Sequence, residues 1–299
     1  MHAIPNKVDF YITNVCNLTC QNCNRFNNFD FKGWQRWSDY KDQYEQWGKL
    51  VDLTAVTIMG GEPFLNPTLI DWVQGINRIF GIEAQILTNG TRFKHAPDLY
   101  DALFFKHGTR PHNHIGVSLH NPDQFEKLKE DILCFLKGPV QIYPKGHEKN
   151  HWDSDYQFVD RNGIIVNVHN VDTFHSVAIN HSWKINQQMQ KVFVLHNSNQ
   201  ELAHANCAFA TFKSYHFIRG KLYKCAPVAL MPEFDQQHKL NISDSDRTLL
   251  NSYQPLSVDN FETYNQEFFS QLDNPIAQCK FCPENYTFQK IFPVTKGVK

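Results

Sequence analysis

Three thiols crowd into one short stretch of the chain, Cys16, Cys20 and Cys23. Cysteine thiolates hold iron–sulfur clusters, and a short loop suffices because the corners of a cubane lie close together. Three protein ligands leave one iron of a [4Fe–4S] cluster open to an incoming chelator. Zinc is the competing reading, but structural zinc takes four closed ligands, commonly in Cys-x2-Cys pairs. A Cys-x3-Cys-x2-Cys triplet with no fourth ligand nearby fits zinc poorly. A second set, Cys207, Cys225, Cys279 and Cys282, ends in a Cys-x2-Cys pair. Four cysteines suit a fully ligated cluster or tetrahedral zinc, and the residues alone leave both open. Either metal would add folding energy to a segment too small for much core of its own. The eighth cysteine, Cys134, falls in an apolar-periodic stretch and reads as a small buried hydrophobe.

The elements that must position these thiols follow a βα rhythm. Short apolar runs at Val8–Thr13, Thr54–Ile58, Ala84–Thr88, Ile115–Leu119, Val140–Tyr143 and Ile164–Val168 read as strands separated by helical patterns. The clearest helix opens at Asn66 as N-cap with Pro67 behind it, and carries Leu69, Ile70, Val73, Ile76 and Phe80 on one face. A second runs from about Asp123 to Leu136. The cysteine triplet therefore follows the first strand, and sites in parallel barrels form at the C-terminal ends of strands. Val192–Leu195 is a further short apolar run with no assigned role. From about Asn197 the rhythm stops: Tyr215–Ile218 and Leu222–Lys224 suggest a hairpin turning at Arg219-Gly220. A Ser/Asp-rich loop near Ser243–Asp246 and a helical Phe261–Leu272 precede the last cysteine pair. The expectation is an α/β chain in two parts, a six-strand partial barrel over 1–190 and a small cysteine-tethered α+β domain over 191–299.

Composition narrows the function. The 299 residues carry 29 basic and 30 acidic side chains, a net charge of -1, so no nucleic-acid groove or anionic-membrane surface is advertised. The mean hydropathy is -0.48 and no apolar stretch is long enough to span a bilayer. Met1 to Lys7 lacks the apolar core of a secretory signal, so a cytoplasmic protein with reduced thiols is expected. Most of the fifteen histidines lie in polar, solvated surroundings such as His112/His114 and His147/His151. His120, Lys145 and His169 sit at predicted strand ends and are the candidates to bind substrate or take a proton.

The triplet's spacing resembles the motif of the radical S-adenosylmethionine (SAM) superfamily, and further motifs extend the resemblance. Met59-Gly60-Gly61-Glu62-Pro63, after the second strand, is similar to the family's GGEP segment, which binds the amino group of SAM; its glycines let backbone approach a ligand closely. Leu87-Thr88-Asn89-Gly90 and Val117-Ser118-Leu119-His120 resemble the family's third and fourth strand ends, so that Asn89 and Ser118 would face the SAM methionine or ribose. Two positions depart from the pattern. Asn22 stands where an aromatic residue often precedes the third cysteine, with Phe26 as a substitute for stacking on adenine, and His120 replaces the usual Asp. From Cys207, the spacing to Gly220 and Cys225 resembles the opening of the SPASM and twitch domains, and with no cysteine after Cys282 a twitch domain with one auxiliary [4Fe–4S] cluster is implied.

The resemblance implies a partial (β/α)6 TIM-like barrel, two [4Fe–4S] clusters and SAM. It also implies an electron donor such as flavodoxin or ferredoxin, and hydrogen abstraction by a 5′-deoxyadenosyl radical, with net oxidation through the auxiliary cluster. Twitch enzymes such as the aminocyclitol dehydrogenases act on small polar molecules, which favours a sugar, cyclitol or nucleotide derivative as substrate. The alternative is a maturase of ribosomally made peptides, which usually carries an N-terminal recognition module for which the stretch Met1–Val15 has no room. A metal-bound scaffold without turnover is the non-enzymatic alternative.

Overall fold

The computed structural model describes residues 2–20, 22–29, 31–104, 114–150, 152–175, 179–184, 190–285 and 288–290. Its frame is a nine-stranded, unclosed sheet. The strands in chain order are β1 (His2–Tyr11), β2 (Val51–Met59), β3 (Ala84–Thr88), β4 (His114–Leu119), β5 (Val140–Pro144), β6 (Tyr156–Asp160), β7 (Ile165–Asn170), β8 (Thr173–His175), β9 (Ile179–Lys184), β10 (Gln190–Leu195), β11 (Tyr215–Ile218), β12 (Lys221–Tyr223) and β13 (Phe288–Lys290). Across the large sheet they run β12-β11-β1-β2-β3-β4-β7-β6-β5. The stretch from β11 to β7 is parallel throughout. This is the expected α/β partial barrel, with two details that the periodicity did not give. First, Tyr156–Asp160 is a strand, and β5, β6 and β7 form an antiparallel meander. No helix lies between β5 and β6, and without a crossover the chain can only return antiparallel. Second, the late strand β11 lies beside β1, so the cysteine-bearing C-terminal segment extends the barrel's own sheet.

The helices are α1 (Trp37–Leu50), α2 (Leu69–Phe80), α3 (Leu99–Ala102), α4 (Phe125–Phe135), α5 (Gln200–Ala205), α6 (Ala208–Thr211), α7 (Ala226–His238), α8 (Asp244–Asn251) and α9 (Phe261–Ser270). Asn66 does not cap α2 directly. Its side chain accepts from the N–H of Thr68, the actual N-cap, and donates to Ile12 O and Gln35 O, tying the helix start to β1. The Ser243 region is the start of a helix, not a loop, because the Ser243 hydroxyl accepts from Asp246 N and caps α8. Cys134 is exposed, contrary to expectation. The buried face of α4 is Leu128, Ile132 and Phe135, and Cys134 points away from it.

Strand alternation sorts the sheet into two faces. Val8, Phe10, Ile58, Ile86, Val117 and Val166 point outward into a buried core with α1 and α2. Its centre is aromatic: Phe10, Tyr44, Trp47, Trp72 and Phe217 meet mostly edge to face. The inward positions are polar, and they are joined. Asp9 pairs in register with Thr57 on β2 and with His216 on β11. Thr57 Oγ1 donates to Gln85 Oε1 (3.5 Å), Gln85 Nε2 lies 3.3 Å from His114 Nε2, and Asn167 Nδ2 lies 2.7 Å from the same nitrogen. A polar belt thus crosses the concave face from β11 to β7.

The hairpin predicted at Arg219-Gly220 is present, with φ of +51° and +71° at the two turn residues, the backbone of a type I′ turn. Trp47 Nε1 donates to Gly220 O (2.8 Å), locking the hairpin onto α1.

Candidate active site

A cavity of about 350 Å³ opens at the C-terminal ends of the parallel strands, and Cys16, Cys20 and Cys23 line it. The loop that carries them is fixed from two sides. Gly61 N donates to Thr13 O (2.7 Å) and Glu62 N to Val15 O (2.8 Å), so the turn after β2 pairs with the loop after β1. Asn14 N donates to Gly33 O, and the Cys23 thiol lies 3.7 Å from Asn27 Oδ1. Both glycines are required by this contact. A Cβ on Gly60 would lie 2.4 Å from Thr13 O, and one on Gly61 2.3 Å from Val15 O.

Gly60, Gly61, Asn89 and Ser118 line the same cavity as the thiols. Glu62 and Pro63 do not. Glu62 is fully buried and both its oxygens are committed: Oε1 accepts from Phe64 N (3.0 Å) and Thr88 Oγ1 (2.6 Å), Oε2 from Asn89 N (2.7 Å). Its carboxylate therefore holds the end of β3 against the turn after β2. Burial raises its pKa, opposed by those three donors. Asn89 in turn donates to Asn17 Oδ1 (2.9 Å) and stands 3.9 Å from Cys16 Sγ, so the end of β3 touches the cysteine loop.

His120 also lines the cavity, with Nδ1 2.9 Å from Val171 O, and burial lowers its pKa. Lys145 is largely exposed and ion-pairs with Asp153 (3.6 Å). His169 is half-buried on β7; burial lowers its pKa, and Asp155, Lys145 and Asp153 are the charges around it. Neither lines this cavity. Phe26 is unavailable for stacking on a ligand here, since it is fully buried with its ring against Phe234.

The second set of cysteines also converges. Cys207, Cys225, Cys279 and Cys282 all line one smaller, largely apolar cavity. Cys225 caps the N-terminus of α7, where the helix dipole favours a thiolate. Cys279 and Cys282 sit on a single 3-10 turn closed by Cys282 N donating to Cys279 O (3.0 Å). Lys224, almost wholly buried, donates to Asn274 O (2.8 Å) and lies 3.8 Å from Cys279 Sγ. Burial pushes the Cys225 thiol up to about 12 and raises those of Cys20, Cys279 and Cys282. Desolvated thiols of this kind ionise readily only when a metal centre takes the proton's place. Among the described residues no group of three or more His, Cys, Asp or Glu closes on a single-ion site. The two cavities share a wall, because Asn24, Ala208 and Phe209 line both.

Sequence reasoning missed a charged constellation in the first cavity. Asp9 and Arg25 line it, and the fully buried His216 stands beside them. Arg25 Nη2 lies 3.2 Å from His216 Nε2 and 3.9 Å from Asp9 Oδ2, and His216 Nε2 lies 3.3 Å from the same oxygen. The available signal was alternation: Lys7 and Asp9 alternate with the apolar Val8 and Phe10 along β1.

Residues 10–139 match the model of the radical SAM superfamily. No curated protein matches the chain. Among solved structures, BtrN in complex with AdoMet and 2-DOIA aligns over 96% of this chain and 94% of its own, with 14% identity and a TM-score of 0.42. Streptococcus suis SuiB bound to S-adenosylmethionine aligns over 94% of this chain and 71% of its own, with 10% identity and a TM-score of 0.40. In another SuiB structure the aligned part is 38% of that chain and 44% of this one, with 14% identity and a TM-score of 0.27.

Proposed function

We propose that the chain, whose residues 10–139 match the model of the radical SAM superfamily, is a radical SAM enzyme that removes a hydrogen atom from a small polar substrate and completes a net oxidation. The observation that carries this reading is the single cavity that gathers Cys16, Cys20 and Cys23 with Gly60, Gly61, Asn89 and Ser118 at the strand ends. A [4Fe–4S] cluster held there supplies, with SAM, the hydrogen-abstracting radical that the family uses. The three thiols would hold the cluster, and the close-approach backbone of Gly60 and Gly61 would receive the amino group of SAM. Asn89 and Ser118 would face its methionine or ribose.

The polar lining of the cavity supports a polar substrate, because Asp9, Asn24, Arg25 and Asn89 all face it. Net oxidation removes one further electron and one proton from the substrate. His120 is the residue for the proton: with Nδ1–H donating to Val171 O, its neutral Nε2 is the acceptor. Cys207, Cys225, Cys279 and Cys282 would hold the auxiliary cluster that takes the electron. Their cavity adjoins the first through Asn24, Ala208 and Phe209, which keeps the path short. A flavodoxin- or ferredoxin-like donor would supply the initiating electron. Among the described residues no helix is long and apolar enough to cross a membrane, and a cytoplasmic location fits cysteines at both sites that form no disulfide.

Anaerobic reconstitution tests the reading. About eight irons per chain are expected from two four-iron clusters, and about half that number in a Cys16/Cys20/Cys23→Ala triple variant. The reduced parent should cleave SAM to 5′-deoxyadenosine and the variant should not. A parent holding about four irons together with zinc would remove the auxiliary cluster, and a reduced parent that leaves SAM intact would remove the radical chemistry.

A further inference from the structure

We propose that Lys224 sets the electron affinity of the four-cysteine centre: its buried ammonium favours the reduced form and so makes that centre the acceptor of the substrate's electron. The inference deepens the proposed function and rests on its reading of Cys207, Cys225, Cys279 and Cys282 as cluster ligands. Lys224 directly follows β12, is 2% exposed and lines the cavity of those four thiols. A lysine is almost never fully buried without an opposite charge beside it. Among the described residues no carboxylate forms an ion pair with Lys224. Its Nζ meets the Asn274 carbonyl oxygen at 2.8 Å and Cys279 Sγ at 3.8 Å. The carbonyl accepts one of the three N–H donors but brings no charge. The anion that balances this lysine is therefore on the sulfur side, among the thiolates of the cavity it lines.

The ammonium is held in place from outside the thiol set. The Lys224 backbone N–H donates to Tyr253 Oη (3.0 Å), which itself donates to Gln271 Oε1 (2.9 Å). Asn274, whose carbonyl receives the ammonium, donates its own N–H to Ser270 O (3.1 Å) at the end of α9. Both ends of the side chain are thus tied to the segment that follows α9, and the charge stands beside Cys279 by construction.

Four thiolates outweigh the positive charge of the four-iron core they hold, and an added electron makes such a centre more negative still. A cation fixed at contact distance in a low-dielectric cavity stabilises the reduced form more than the oxidised one. Net charge and hydrogen bonds to sulfur are the levers that set these potentials, and Lys224 supplies both. In the proposed oxidation the substrate radical loses one electron to this centre and one proton to His120. Lys224 does not line the first cavity, so its effect on that step runs through the centre and not through the substrate.

The test is an EPR-monitored reductive titration of the anaerobically reconstituted Cys16/Cys20/Cys23→Ala chain, in which only the second centre titrates, with and without Lys224→Met. The Lys224→Met chain is expected to keep about four irons. At a given potential its reduced-to-oxidised ratio should be at least tenfold lower, a shift of about 59 mV for one electron. Lys224→Arg, which keeps the charge, should stay within threefold of the parent ratio. If Lys224→Met yields no folded protein, Lys224→Gln takes its place with the same expectation. The proposal is overturned if the parent's centre does not reduce, if the uncharged variant titrates within tenfold of the parent, or if Lys224→Arg shifts as far as the uncharged variant. Uncharged variants that all fail to fold or lose their iron make Lys224 a strut and also overturn it. Zinc in place of iron at this site in the parent removes the auxiliary-cluster reading and this proposal with it, whereas an iron-loaded centre indifferent to Lys224 removes the proposal alone.

Discussion

Replacing Gly61 by alanine should dislodge the cysteine triplet without touching a cysteine. The new Cβ would lie 2.3 Å from Val15 O, 2.7 Å from Val15 C and 3.0 Å from Cys16 Cβ. Contact between non-bonded heavy atoms is favourable only near 3.5–4.0 Å, so the loops must part by roughly 1 Å. The neighbours are backbone atoms and cannot swing aside as a side chain would. Parting them breaks Gly61 N to Thr13 O and Glu62 N to Val15 O. Two buried donors left without partners cost about 1–3 kcal/mol each, for a total of roughly 2–6 kcal/mol. At about 2–4 °C per kcal/mol in a large domain, Tm should fall by roughly 4–24 °C. Iron per chain after anaerobic reconstitution should drop by about four. Gly146→Ala is the control. It has φ of +80° and nothing within 4 Å of the added Cβ, so it should cost only about 1–2 kcal/mol of backbone strain and keep its iron. A Gly61→Ala protein with the parent's iron and a Tm within about 1 °C would refute the packing of the cysteine loop on the turn after β2.

Thr88→Val removes the hydroxyl that donates to Glu62 Oε1. Leaving a buried carboxylate one donor short should cost about 1.5–3 kcal/mol, read by chemical denaturation, and an unchanged midpoint would contradict the role given to Glu62. Trp47→Phe loses the bond to Gly220 O and part of the packing on Phe217 and Phe261. About 2–4 kcal/mol is expected, and a loss under about 1 kcal/mol would show that the hairpin does not lean on α1. His216, faced by Arg25, Asp9 and Lys7, has its pKa held well below 6.5 by burial first and then by the two cations. The unfolded chain takes up a proton there that the folded chain refuses, so this contribution is complete above pH 6.5 and is lost as pH falls. Its slope is up to about 1.4 kcal/mol per pH unit, and His216→Gln should flatten the stability profile between pH 6.5 and 5; parallel profiles would count against a buried neutral imidazole.

The gathering of residues at the first site was legible because it is local. Cys16, Cys20 and Cys23 lie in one loop, Gly60 and Gly61 in one turn, and the strand ends Asn89 and Ser118 follow from an apolar rhythm that survives without tertiary information. The turn at Arg219-Gly220 was equally readable from its own residues. What stayed hidden was set by pairing between distant segments. Nothing local distinguishes β5 and β6 as a meander, since their direction depends on the absence of a crossover helix. The placement of β11 beside β1 depends on a contact across most of the chain. His216 lies in a short apolar run that could face either way, and only its register with Asp9 places it beside the cavity. Phe26 shows the reverse error: an aromatic residue next to a cysteine motif suggests stacking on a ligand, yet it fills a core formed by Phe29, Phe31 and Phe234.

The parallel pairing of β1 with β11 also has a consequence for synthesis on the ribosome. β1 is translated well before its outer partner, which begins at Tyr215. At about 5–20 residues per second, roughly 10–40 s separate the two. Throughout that interval the nascent chain presents an open strand edge, and Trp47 and Tyr44 await the Phe217 ring that will cover them. The cysteine loop grows from the end of that same strand, so the thiols are displayed before their cavity is closed. Display of the cysteine loop and completion of the sheet are thereby ordered in time, and a chaperone that shields that edge would protect both.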